Sequence, residues 1–244
     1  MSPLEYVPVR PAVLDALDYP GTPAPGSGVL DGDRFWLGRD LERLDDRTMV
    51  LAVGANAAPA ALAAKLGRAE VAGAVGMVRA EVSGLGVGHS AHVSRGGYIP
   101  ATSYAADGAA AVVGLWVTAE QLAAIDATEP NYDRVSLRCD DYELRLETGR
   151  PTPTYDVYVA RWGVLGPDRA PLRLRTQREL FARLAGDPVL AAMAPWEDAE
   201  AAVRALADSA ARVRVREAFA TAGWVADAAM TSADEAVDPI DRQL

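Results

Sequence analysis

Two features of this 244-residue chain could do chemistry together: a glutamate at the exit of a short helix, and a turn of small residues that follows an apolar strand. The glutamate is Glu129. Thr118 and Gln121 have the spacing of a reciprocal capping pair, and Pro130 stops the chain, so residues 119–128 are predicted helical. Leu122 and Ile125 mark the buried stripe of that helix, and Glu129 falls three or four residues further along it. Its carboxylate is thereby aimed towards the core, at the carbonyl end of the helix, where the dipole and partial burial both disfavour negative charge. Such a group suits a general acid or base near neutral pH. The other reading is a glutamate that swings out to water as the helix ends, or that anchors a nearby backbone amide.

The turn is Val53-Gly54-Ala55-Asn56-Ala57, ahead of a helix that opens on Pro59. Small residues let backbone amides approach a ligand, and a helix N-terminus facing the same space favours anionic groups. The same residues also fit a plain strand-to-helix turn capped by Asn56. The glycine spacing of dinucleotide and phosphate loops is missing, which excludes nucleotide binding there. Gly88-His89-Ser90-Ala91-His92 comes near a nucleophile elbow but lacks its last glycine and a following helix. His89 and His92, the two histidines of the chain, point to opposite faces of a strand at this separation, which is wrong for a shared metal. They read as surface or hydrogen-bonded structural residues, or one of them as a polar contact beside Glu129. The single cysteine, Cys139, excludes an intramolecular disulfide and reads as structural.

Positioning these groups requires a sheet. Residues 48–53, TMVLAV, form a continuous apolar run that predicts a buried first core strand, and residues 59–66 a short helix after it. Four short strands are expected at 71–78, 84–93, 98–104 and 111–117, separated by glycines. Residues 132–138 and 143–146 flank Asp140-Asp141-Tyr142 as a hairpin, and 154–160 add another strand. Beyond Leu172 the period becomes helical, through Leu180, Leu184, Val203 and Leu206, with breaks near Gly186-Asp187-Pro188 and Ala194-Pro195. Trp196 and Trp224 are expected to pack these helices, and Arg173, Arg175, Arg178 and Arg183 to form a solvated face. The division expected is a loosely packed lead-in at 1–47, rich in proline and glycine, a domain at 48–185, a helical extension at 186–225 packed on it, and a mobile tail at 226–244.

Composition narrows the partners. Half the residues are apolar, enough for one substantial core, and 24 basic against 34 acidic residues give a formal charge of -10. That charge repels a phosphate backbone or an anionic bilayer, so nucleic acid and membrane are not expected as partners. No apolar run approaches the roughly 20 residues of a membrane span, and the first ten residues lack a signal-peptide pattern, which leads to an expectation of a cytoplasmic protein. Neither the oligomeric state nor the leaving group of any substrate can be read from these residues.

Three stretches, in order, resemble the γ-glutamylcyclotransferase-like family. LAVGANAAPAAL at 51–62 resembles the family's strand, tyrosine-glycine-serine-asparagine turn and helix. GLWVTAEQLAAIDATEPNYDRVSL at 114–137 is similar to its strand, helix, catalytic glutamate and following tyrosine, and PTPTYDVYVA at 151–160 to its later tyrosine-bearing strand. The likeness covers roughly residues 48–184. It implies an α+β fold, a small mixed β-barrel with flanking helices, here with a helical C-terminal extension. The implied reaction is attack by the α-amine of a γ-glutamyl amine or peptide on its own side-chain carbonyl, giving 5-oxoproline and a released amine or amino acid. Glu129 would be acid and base, Val53, Gly54, Ala55, Asn56 and Ala57 would bind substrate through the turn, and Tyr155 would contact it. No metal and no organic cofactor is implied, because ring closure is intramolecular. Val53 and Ala55 replace the family's tyrosine and serine, so two side-chain hydroxyls are absent. The alternatives are a small-ligand-binding or interaction protein that keeps the fold without catalysis, and an amide hydrolase using the same glutamate to release free glutamate.

Overall fold

The apolar run after Thr48 does become an inner strand, since Met49 to Ala52 are all buried and neighbours pair on both sides. In the computed structural model, which describes residues 5–38, 41, 46–150, 152–230 and 232, eleven strands and five α-helices are found. The first strands are β1 (Tyr6–Pro8), β2 (Gly28–Asp31), β3 (Arg34–Leu37) and β4 (Thr48–Ala52), followed by helix α1 (Pro59–Arg68). Two long strands, β5 (Val75–His89) and β6 (Ala101–Val117), lead into helix α2 (Ala119–Asp126). Then come β7 (Tyr132–Arg138), β8 (Leu144–Leu146), β9 (Thr154–Ala160) and β10 (Val164–Leu165), helices α3 (Gln177–Ala185), α4 (Ala199–Leu206) and α5 (Ser209–Thr221), and β11 (Val225–Ala226).

The chain is α+β, with a large sheet in the order β1-β3-β2-β5-β6-β4-β9-β7 and β8 added on β5. All its pairs are antiparallel except β4 with β9. No pairing among the described residues joins β1 to β7, so the sheet is open rather than the closed small barrel expected. One face buries Val50, Ala52, Met77, Leu115 and Val117 against α1 and α2 through Leu62, Leu66, Leu122 and Ile125. The opposite face buries Met49, Leu51, Val78 and Trp116 with Leu137, Tyr142, Leu146, Tyr155 and Val157. Strand alternation accounts for the division, because successive side chains leave a strand on opposite sides.

Several expectations are corrected. The four short strands between 71 and 117 are two long ones: Gly84 and Gly108, read as breaks, lie inside β5 and β6, with an irregularity between Ser83 and Leu85, while Gly96 and Gly97 lie in the link between the two strands. Glycines of β5 make room for neighbours, since a Cβ on Gly86 would run into the Tyr104 ring and one on Gly88 would sit 2.7 Å from Leu172 O. The 132–138/143–146 hairpin does not form. Its two arms pair elsewhere, β7 with β9 and β8 with β5. The lead-in is not loosely packed, for β2 and β3 belong to the sheet and Val29, Leu30 and Phe35 are buried in its core. At the other end Ala226 pairs in β11 and Ala105 N–H donates to Ala228 O (2.8 Å), so the expected tail does not begin at 226; residues 231 and 233–244 lie outside the described ones.

The last helices pack as one layer. Leu180, Phe181 and Leu184 from α3 share a core with Trp196, Leu206, Val215, Phe219 and Trp224, and with Ala91, Val93 and Ile99 from the segment between β5 and β6. Position 186 is therefore no boundary in packing. A buried glutamine fastens the layer: Gln177 Oε1 accepts from Ile99 N–H (2.8 Å) and its Nε2 donates to Ile99 O (2.9 Å), satisfying both backbone groups of a residue that lies outside the strands. Gln177→Ala would leave that buried N–H unpartnered, and about 2 kcal/mol of stability should be lost in urea titrations. An unchanged midpoint would show that the amide finds another acceptor.

Candidate functional site

Glu129 and the 53–57 turn meet in a cleft of about 570 Å³. The turn follows β4 directly, Ala55–Ala57 forms a single 3-10 turn, and Pro59 occupies the first turn of α1. Opposite it, Thr118 and Gln121 make the reciprocal cap foreseen for α2, and α2 packs on α1, which brings Glu129 back over the turn. Asn56 Nδ2 donates to Glu129 Oε1 (3.1 Å), tying the two motifs across 73 residues of chain. Lys65, from the last turn of α1, places Nζ 2.5 Å from the same oxygen, with the two side chains 14% and 16% exposed. The glutamate thus neither waves in bulk water nor stands alone. Oε2 makes no hydrogen bond within the described protein, which leaves it for a ligand.

Four tyrosines surround the carboxylate. Tyr19, Tyr98, Tyr132 and Tyr158 all line the cleft. Each phenol is pushed above its ordinary range, in every case chiefly by burial, with the Glu129 charge adding to the effect. At neutral pH they are neutral hydrogen-bonding groups. Tyr19 stacks on Tyr98 with ring centroids 4.4 Å apart. Tyr19 Oη accepts from Ala101 N–H (2.8 Å), and Tyr132 Oη donates to Ala101 O (2.8 Å), so two phenols hold both backbone groups of one residue at the start of β6. Tyr158 donates to Asp126 Oδ1 (2.6 Å) at the end of α2.

Of the residues foreseen for the site, Glu129, Val53, Gly54, Ala55 and Asn56 line the cleft. Ala57 does not: its N–H closes the turn on Gly54 O (2.9 Å) and its side borders a neighbouring cavity. Tyr155 does not either. It lies on the other face of β9, buried, with its hydroxyl donating to Tyr142 O (2.6 Å). Three residues on, strand parity reverses, and Tyr158 is the tyrosine of that strand that reaches the cleft. Asn56 Oδ1 is buried without a partner, a cost of about 1–3 kcal/mol that the fold carries beside Glu129.

Sequence reasoning missed Lys65, Tyr19, Tyr98 and Tyr132. Lys65 had a visible signal, a cation within the apolar run that follows the turn. Tyr19 had none, because it comes from the segment read as a lead-in. Gly54 shows why that segment matters: a Cβ there would run into Tyr19 Oη and sit 3.3 Å from Ala101 Cβ. Gly54→Ala should therefore displace the phenol, lower stability by about 1–3 kcal/mol and weaken any ligand of the cleft; an intact Tyr19–Ala101 hydrogen bond in the variant's crystal structure would refute this.

The charge of the cleft runs against that of the chain. Lys65, Arg68 and Arg95 line it against one carboxylate, Glu129, in a protein of formal charge -10. Among the described residues no group of three His, Cys, Asp or Glu side chains gathers into a metal-binding set, and no helix is long and apolar enough to cross a membrane. No family model matches the chain, and no curated protein does. A solution structure of an Arabidopsis thaliana protein is similar at 20% identity with a TM-score of 0.34, over 46% of this chain and 61% of that one. The chain thus spans less than two thirds of that structure, and a likeness of this size assigns no family.

Proposed function

We propose that this protein is a γ-glutamylcyclotransferase-like enzyme that cyclises a small γ-glutamyl compound to 5-oxoproline, with Glu129 as general acid and base. The observation that carries the reading is the placement of Glu129 in a cleft wall shared with Gly54, Ala55 and Asn56, with Oε2 unengaged. In this reading the α-ammonium of the substrate gives a proton to Oε2, and the freed amine attacks the γ-carbonyl carbon. The new C–N bond closes a five-membered ring, the amide C–N bond breaks as Glu129 returns its proton to the departing nitrogen, and the second proton of the ring nitrogen is taken up by the released amine, which leaves as an ammonium. Gly54 and Asn56 supply polar groups beside the carbonyl oxygen as its charge develops.

The cation excess of the cleft favours a substrate with more carboxylates than ammonium groups, as in a γ-glutamyl amino acid or peptide. The reaction is tested by incubating the purified protein with γ-glutamyl amino acids, peptides and amines and separating products by chromatography. Release of 5-oxoproline supports the reading; free glutamate in its place would make the protein an amide hydrolase. A second reading, a binding protein without catalysis, draws on Val53 and Ala55 and on the Lys65–Glu129 pair, which engages one oxygen of the carboxylate. Thermal stabilisation by γ-glutamyl compounds without product would favour it.

A further inference from the structure

We propose that His92 orients the substrate by donating a hydrogen bond from Nε2 to an acceptor oxygen on the released half, and that Ser90 fixes it in the state that can donate. The inference rests on the γ-glutamyl reading of the cleft. His92 is 5% exposed, yet it lines the cleft, with its ring edge-on to Tyr132 at 5.9 Å between centroids. Its Nδ1 lies 2.5 Å from Ser90 Oγ. Ser90 is fully buried and its hydroxyl has no other partner among the described residues. If the ring donated to Oγ, the hydroxyl hydrogen would be buried with no acceptor, so the hydroxyl donates and Nδ1 accepts.

The ring's remaining proton then sits on Nε2, because the imidazole is neutral. Burial, aided by the Arg216 charge, lowers its pKa from 6.5 to about 4. Nε2 has no hydrogen-bond partner within the described protein and is absent from the enclosed unpartnered atoms. It is a fixed donor opening on the cleft. His89 is its opposite: Arg175 N–H donates to His89 Nε2 (3.0 Å), so that ring carries its proton on Nδ1, beside Ile99 O (3.4 Å), and is structural. His92 lines the cleft from the segment after β5 and Glu129 from the end of α2, with no hydrogen bond between them, and in this proposal the departing group lies on the histidine's side.

The tautomers are read directly by long-range proton–nitrogen correlation spectra of the unmodified protein, whose two histidines should give one Nδ1–H and one Nε2–H pattern. Adding γ-glutamylglycine should move the His92 Nε2 resonance and leave His89 in place. Binding is measured by calorimetry in a Glu129→Gln background, which prevents turnover. There His92→Phe should weaken γ-glutamylglycine about tenfold and leave γ-glutamyl ethylamide, whose released half has no acceptor, within twofold. His92→Gln, which keeps a donor, should recover most of the affinity, and Ser90→Ala should lose part of it. Equal weakening of both ligands, a His92 proton on Nδ1, or no binding of γ-glutamylglycine each overturns the proposal. His92-dependent binding with no 5-oxoproline from the unmodified protein upholds it and defeats only the catalytic reading.

Discussion

Glu129→Gln is expected to lower the rate of 5-oxoproline formation by about a thousandfold, within the span that a positioned acid–base group contributes. The substitution is close to isosteric. The glutamine oxygen can still accept from Asn56 Nδ2 and Lys65 Nζ, the two donors that hold Oε1, so the side chain should stay where it is. What it loses is the ability to take the ammonium proton and return it to the leaving nitrogen. The loss should therefore fall on kcat, with KM changed by no more than a few-fold, because binding groups elsewhere in the cleft are untouched. Lys65 also loses its counter-charge, in a pair about one-seventh exposed, and a small drop in melting temperature is expected. Initial rates and thermal melts on the same preparations separate the effects: a variant that melts near the parent temperature and keeps more than a tenth of the rate removes Glu129 from the chemistry.

That the glutamate could be found from sequence follows from how local its signals are. Thr118, Gln121, Ile125 and Pro130 fix the start, stop and buried side of α2 within thirteen residues, and the geometry of a helix then aims Glu129. The turn at 53–56 is equally local. Everything that depends on distant pairing was illegible. Asp140 and Asp141 do end β7, but a turn signal says that a chain bends, not which strand receives it, and the 144–146 arm crosses to β5. Proline and glycine at 20–28 signalled a break in regular structure, while the decisive residues there were Val29, Leu30, Phe35 and Tyr19, whose burial needs the rest of the sheet. Tyr155 and Tyr158 differ only by strand parity, which the apolar pattern of β9, buried on both faces, does not reveal. Lys65 reaches Glu129 through packing of α1 on α2, 64 residues apart.

Acid should unfold this protein well above the range where carboxylates titrate, and its two histidines are the reason. Burial holds both His89 and His92 neutral, with pKa values lowered from 6.5 to about 4, and the nearest charges, Arg175 and Arg216, push the same way. Above pH 6.5 the rings are neutral folded or unfolded, and the full stability is present. Between 6.5 and 4 the unfolded chain takes up two protons that the folded one refuses, so stability falls as the pH drops. Each histidine should remove about 3 kcal/mol over that interval, an order-of-magnitude figure from the width of the window. Below pH 4 the folded rings charge as well and the contribution stops changing. Glu179 and Glu200, whose carboxyls hydrogen bonds hold below their ordinary range, begin to matter only in that lower region. Net charge pulls the other way, because repulsion within the acidic chain fades as the pH nears its isoelectric point of about 4.7. Urea midpoints at pH 7.5 and 5 therefore discriminate: the histidines require a clear fall towards the isoelectric point, and charge relief alone a rise. His89→Gln, which removes one of the two protons without touching the cleft, should lessen the slope by about half, and a parent protein as stable at pH 5 as at 7.5 would mean that at least one ring is already charged or solvated in the fold.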